Sequence, residues 1–258
     1  MNPSKRKPKS APQPVFTVEK DEGITLLRFS ERDELAGSDV RMIDPLWEFF
    51  DSERKKPSHI LAFFIPRFLL NRKSLEGLLG LRPTGVEFSQ HEIRARIIRE
   101  ENVIQRFVKC VRELPTFVVF CINGEVAFRL MAPLLACDYR IASRETVFVN
   151  TTQDLPHAPF GVMPWFLTRM LGAAKTTELL LDTPRLSAEN ARDLGIVNHV
   201  TTSDPAEDAA LKVIRRLASL PRSTLVGLKK AIVASHENFE TYVERESVWT
   251  QQLSGQTR

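Results

Sequence analysis

Residues 117–142 read Phe117-Val-Val-Phe-Cys-Ile-Asn123-Gly124-Glu-Val-Ala-Phe128-Arg129-Leu130-Met-Ala132-Pro-Leu-Leu-Ala136-Cys137-Asp138-Tyr139-Arg140-Ile141-Ala142. The run from Phe117 to Ile122 is apolar throughout and of strand length, the pattern of a strand covered on both faces. Asn123-Gly124 closes it with a turn signal. A short apolar helix over about 128–135 follows, then a strand through Tyr139 to Ala142 and another near Val147.

Upstream, Val15 to Phe29 reads as two strands turning at Asp21-Glu22-Gly23. Asp39 to Lys56 has helical spacing through Met42, Leu46, Phe49 and Phe50, and breaks at Pro57. Ile60 to Ile65 is a second strand of the buried type, and the pattern from Pro66 to Gly85 is irregular. Glu87 to Glu113 reads as a long amphipathic helix whose Arg94, Arg96, Arg99 and Arg106 interleave with Glu92, Glu100 and Glu101, the pattern of a solvated face. Downstream the chain is mostly helical, with a helix start at Ser187, a strand over Ile196 to Val200, and helices over 205–219, 222–235 and 239–252. The reading divides into a tail (1–14), an α/β core (15–200) and a C-terminal helical region (201–258).

The chain has 258 residues, 43% of them hydrophobic, enough for one sizeable core. Its net charge of +4 resides in the tail: Lys5, Arg6, Lys7 and Lys9 fall in the first ten residues, and the remainder is formally neutral. A neutral body argues against nucleic acid as a partner. The tail reads as a disordered basic leader, without the apolar segment of a secretory signal. No apolar run is long enough for a membrane span. Cys110, Cys121 and Cys137 have no metal-like spacing and read as reduced, buried thiols of a cytoplasmic protein. There is no nucleophile elbow, phosphate-binding loop or metal cluster.

From Leu114 to Ser235 the chain resembles the crotonase (enoyl-CoA hydratase/isomerase) superfamily. The resemblance rests on Leu114-Pro115-Thr116-Phe117 entering the central strand, on Asn123-Gly124, and on Cys137-Asp138-Tyr139-Arg140-Ile141-Ala142. It continues through Gly161 to Pro164, Leu171 to Lys175, Ser187 to Ala191 and Leu194 to Asn198. It implies an α/β fold with a crotonase-like ββα spiral core and a helical C-terminal region. It also implies coenzyme A or acyl-carrier thioesters as ligands, no permanently bound cofactor, and a homo-oligomer, a trimer or hexamer.

Crotonase-type reactions pass through an enolate-like anion on the thioester oxygen, which two backbone N–H groups must stabilise. By resemblance one falls at Arg129 and the other at Leu70, in Arg67-Phe68-Leu69-Leu70-Asn71. Phe128, Arg129 and Leu130 occupy the place of the family's three glycines, and Ala132 that of the first proton-transferring glutamate. The second glutamate's place goes to His157, in Pro156-His157-Ala158-Pro159-Phe160-Gly161, with Asp154 near enough in sequence to orient it. Lys229 and Lys230 lie in a helix resembling the family's lysine-bearing helix and stand as phosphate contacts. Two readings stay open: a divergent thioester enzyme with one acid/base group, or a non-catalytic binding or assembly module. Ordinary two-glutamate hydration fits neither.

Overall fold

The computed structural model describes residues 15–30, 44–67, 69–79, 89–151, 161–236 and 238–254. The expected tail, Asp154 and His157 lie outside the described residues.

The main sheet has the order β1-β2-β3-β4-β6-β9. β1 (Phe16–Asp21) and β2 (Ile24–Phe29) form an antiparallel hairpin turning at Glu22-Gly23, as the sequence indicates. β2, β3 (Ile60–Ile65), β4 (Phe117–Ile122), β6 (Tyr139–Ser143) and β9 (His199–Thr201) then run parallel. The apolar runs of β3 and β4 are explained by their place. Leu61, Phe63, Ile65, Val118, Phe120 and Ile122 face one core, while Ile60, Ala62, Phe117, Val119 and Cys121 face another.

The first core is closed by α1 (Asp44–Lys55) and α3 (Gln90–Glu113). Phe63 packs against Phe107 at 5.6 Å and Phe120 at 6.0 Å, and Phe50 against Phe107 at 5.6 Å between ring centroids. α3 starts where Ser89 and Glu92 satisfy each other's backbone amides, and it ends before Pro115. The second core is closed by Val213, Ile214 and Leu217 of α8 (Ala206–Ala218) and by Leu225 of α9 (Arg222–Ser235). α10 (Phe239–Ser254) returns to α3, burying Phe239 and Val243 in the first core.

A second sheet of three short strands holds β7 (Val147–Val149) between β5 (Glu125–Ala127) and β8 (Arg185–Ser187). α7 (Ala188–Asp193) packs against β8, and α5 (Met163–Leu171) packs on α4 (Ala132–Leu135) and α6 (Ala173–Asp182). Ser187 caps α7 as its sequence indicates, with Oγ accepting from the Asn190 amide at 3.1 Å. Differences from the sequence reading are local. The stretch read as irregular contains α2 (Arg72–Leu79), the last strand starts at His199 rather than Ile196, and β5 and β8 are additional.

Candidate functional site

β4 ends at Asn123-Gly124, and the glycine is required there. Gly124 has φ 88, and a Cβ on it would collide with Arg67 Cγ and lie 3.0 Å from the Arg67 carbonyl. The loop after β3 thus crosses directly over the turn after β4. Three residues on, the Ala127 amide donates to the Leu70 carbonyl at 2.7 Å. Asn71 then caps α2 by accepting from the Ser74 amide at 2.8 Å, and Glu125 accepts from the Arg72 amide at 3.1 Å. The Leu70 loop and the turn carrying Arg129 therefore stand side by side. These are the two segments expected to supply oxyanion amides.

Phe128–Leu130 forms a single 3-10 turn. All three side chains point inward, with Phe128 at 0%, Arg129 at 5% and Leu130 at 4% exposure. Arg129 Nε lies 3.2 and 3.0 Å from the two carboxylate oxygens of Glu100 on α3, and Nη2 lies 3.0 Å from Oε2. Both partners are buried. The mixed-charge pattern of α3 is therefore not a solvated face throughout, because Glu100 and Glu101 are buried in it. The sequence carries a signal for this: Ile93, Ile97, Glu100, Ile104, Phe107 and Val111 share one helical stripe, and Glu100 interrupts an otherwise apolar row.

A third buried carboxylate arrives from α10. Glu246 is fully buried, accepts from the Val162 amide at 2.7 Å and from the Tyr242 hydroxyl at 2.9 Å, and interacts with the charge of Arg129. Burial pushes its carboxyl above the ordinary value; hydrogen bonds from Tyr242 and from the Val162 and Gly161 amides, together with Arg129, oppose that shift without cancelling it. Tyr242 is likewise pushed up, first by burial and then by the Glu246 charge. Beside this group the Gln105 side-chain amide bridges Glu101 (3.3 Å) and Ser247 (3.2 Å). Glu100, Tyr242 and Glu246 were not singled out from the sequence. Ala132 is buried at the start of α4, and its methyl group moves no proton.

Lys229 cannot be the phosphate contact its position in the helix indicates. It is buried, with Nζ bonded to the Val111 carbonyl (2.7 Å) and the Thr116 carbonyl (3.0 Å) and paired with Asp138 (3.0 Å). Only Lys230, its neighbour, is exposed. Asp138 also accepts from the Val118 amide at 2.8 Å, and its carboxyl is raised by burial against the pull of Lys229. Arg140 donates to the Ile196 carbonyl (2.8 Å) and the Cys137 carbonyl (2.7 Å). The Cys-Asp-x-Arg motif thus holds strands and helices together. Cys121 and Cys137 are buried free thiols pushed far up by desolvation, which suits the inert role given them. Among the described residues no group of side chains has the makings of a metal site, and no helix is long and apolar enough to cross a membrane.

The parallel sheet, the small second sheet and the paired loops after β3 and β4 define the class: a crotonase-fold protein. The sequence profile of the enoyl-CoA hydratase/isomerase family matches residues 87–254, and the chain belongs to that family. Among curated relatives it is 30% identical over 158 residues to 1,2-epoxyphenylacetyl-CoA isomerase of Escherichia coli, covering 61% of this chain and 60% of that one. It is also 30% identical over 121 residues to trans-2-decenoyl-[acyl-carrier-protein] isomerase of Streptococcus mutans, covering 47% and 46%. These matches span about half to three-fifths of the relatives' own lengths. Among solved structures, the enoyl-CoA hydratase of Bacillus halodurans superposes with a TM-score of 0.75 over 94% of this chain and 96% of that one, at 20% identity. That likeness is one of fold.

Proposed function

We propose that the chain binds a coenzyme A or acyl-carrier thioester where the Leu70 loop meets the Phe128–Leu130 turn, and that it does not hydrate it by the two-glutamate route. The observation that carries the second half is Ala132, an inert methyl where hydration needs an acid/base. The first half is supported by the hydrogen bond from Ala127 to Leu70, which sets two backbone segments together. Amides of Leu70 and Arg129 would polarise the thioester carbonyl, and no side chain is needed for that task. His157, oriented by Asp154, is the acid/base in this reading, and the exposed Lys230 is the remaining lysine for a phosphate.

One proton-transfer group suits isomerisation, decarboxylation or thioester hydrolysis, and the names of the E. coli and S. mutans relatives agree with the first. The reading calls for no permanently held cofactor, and places the protein in the cytoplasm as a homo-oligomer. Calorimetric titration with coenzyme A and a panel of acyl-CoAs tests it. Saturable binding near micromolar, about −8 kcal/mol, is expected. Any turnover found should disappear in His157→Ala, and unchanged turnover would remove that residue from the mechanism.

The second reading, a fold kept for binding or assembly without catalysis, is favoured by the Arg129–Glu100 pair. This pair ties down the side chain beside the expected oxyanion amide. Absence of any thioester binding selects it.

A further inference from the structure

The parallel strands β2, β3, β4, β6 and β9 all finish along one edge of the main sheet. Between that edge and α8 lies a cavity of about 610 Å³, within the range of small-molecule sites. It lies at the strand ends, lined from the α8 face by Phe64, Cys121 and Ile141 and from the α3 face by Ile65 and Ile122, whereas the Phe128–Leu130 turn packs deeper into the α3-side core. Ala206 and Ala210, one helical turn apart on α8, leave the space open; larger side chains there would fill it. Its floor is therefore apolar and its walls are rigid elements.

The rim carries two guanidiniums. Arg28 Nε bonds Glu207 at 2.8 Å and its Nη1 bonds Glu19 at 2.6 Å; Arg67 pairs with Glu145. The pairs are solvent-exposed, with Glu145 at 63% and Glu207 at 44%. Exposed pairs of this kind contribute little, so a ligand carboxylate can replace a side-chain carboxylate at small cost. The planar guanidinium also offers two parallel donors to such a group. Asn123, whose Oδ1 accepts from Ser143 Oγ at 2.8 Å, adds an amide donor at the same rim.

We infer that this cavity is a binding site for a small amphiphilic carboxylate. The apolar body lies over Phe64, Ile141 and Ala210, and the carboxylate exchanges into the pairs of Arg28 and Arg67. The site borders the thioester junction through Arg67 but is built on the strand ends and α8, and it stands whether or not that reading holds.

The test is a titration of the full chain with octanoate, read by ligand-detected NMR, with 1-octanol and inorganic phosphate as probes lacking the charge or the body. Saturable octanoate binding is expected, with both controls much weaker. Ala206→Phe, which fills the space, should weaken it about tenfold or more, and Arg67→Gln, which removes one exposed charged partner, by about threefold. Both positions are at the surface or half-buried; if one variant fails to fold, the other decides. No saturable octanoate binding, equal affinity in the folded variants, or displacement of octanoate by coenzyme A in simple competition would each overturn the assignment.

Discussion

Arg129 is where the family's requirement for small residues and this chain's own packing conflict. A guanidinium buried in the core is tolerable only if its charge is met, and Glu100 meets it with both oxygens. The consequence is that neither residue can be changed alone. Glu100→Ala should lower unfolding free energy by about 3–5 kcal/mol in urea titration, because Arg129 is left buried with its counter-charge removed. Glu100→Leu combined with Arg129→Met should recover most of that loss, since apolar side chains of similar size suit the surrounding core. Arg129→Gly, which would restore one of the glycines the family resemblance places there, instead strands Glu100. The same logic applies to Lys229, whose replacement by Ala leaves Asp138 and two carbonyls without their cation. A loss of similar size is expected there.

At the scale of elements, the junction of α10 and α5 combines aromatic packing, Trp165 on Phe239 at 4.7 Å between ring centroids, with one buried carboxyl. Glu246 accepts the Val162 amide just where that residue takes a left-handed φ of 67, costly for a β-branched side chain and sustained only by its surroundings. Burial raises the folded-state affinity of Glu246 for its proton above the ordinary value of 4.5. A group raised in this way stabilises fully at pH below its unfolded value, and the contribution is lost as pH rises through the folded value. Comparing Tm of the native chain with Glu246→Gln isolates it: the native chain should do best relative to the variant near pH 4 and fall behind as pH increases. A difference that does not change with pH would mean Glu246 titrates normally. The Glu246 cluster was not legible beforehand, because the contacts of α10 with α3 and with the Phe128–Leu130 turn join residues more than a hundred positions apart. What was legible is what repeats locally. β3 and β4 match the expected spans because an unbroken apolar run needs cover on both faces. β5 and β8, three residues each, are too short to show a period, and α2 begins on an Asn71 cap within a stretch lacking a clear apolar stripe. Glu100 is the intermediate case: its place on the apolar row of α3 was readable, but the identity of its partner was not.

At the scale of the molecule, the outer face of α9 remains to be accounted for. Leu228 and Ile232, four residues apart and so on one side of the helix, are 52% and 47% exposed, and Leu220 just before α9 is 43% exposed. Lys229 lies between them in sequence but points to the opposite side, where it ties α9 to β4 and β6 through Asp138. The inner face of α9 is thus fixed by a buried cation, while the outer face presents apolar side chains to solvent. Isolated exposed leucines are ordinary, but an i, i+4 pair on a firmly anchored helix is the start of a contact surface. With the homo-oligomer expected from the family resemblance, this face is the one to test. Light scattering should give a mass that is a multiple of 29.4 kDa, three- or sixfold by resemblance. Leu228→Asp with Ile232→Asp should return it to 29.4 kDa without unfolding the chain, because neither side chain contributes to the core. A native mass of one chain, or an oligomer indifferent to both substitutions, would mean that α9 does not join copies of this protein.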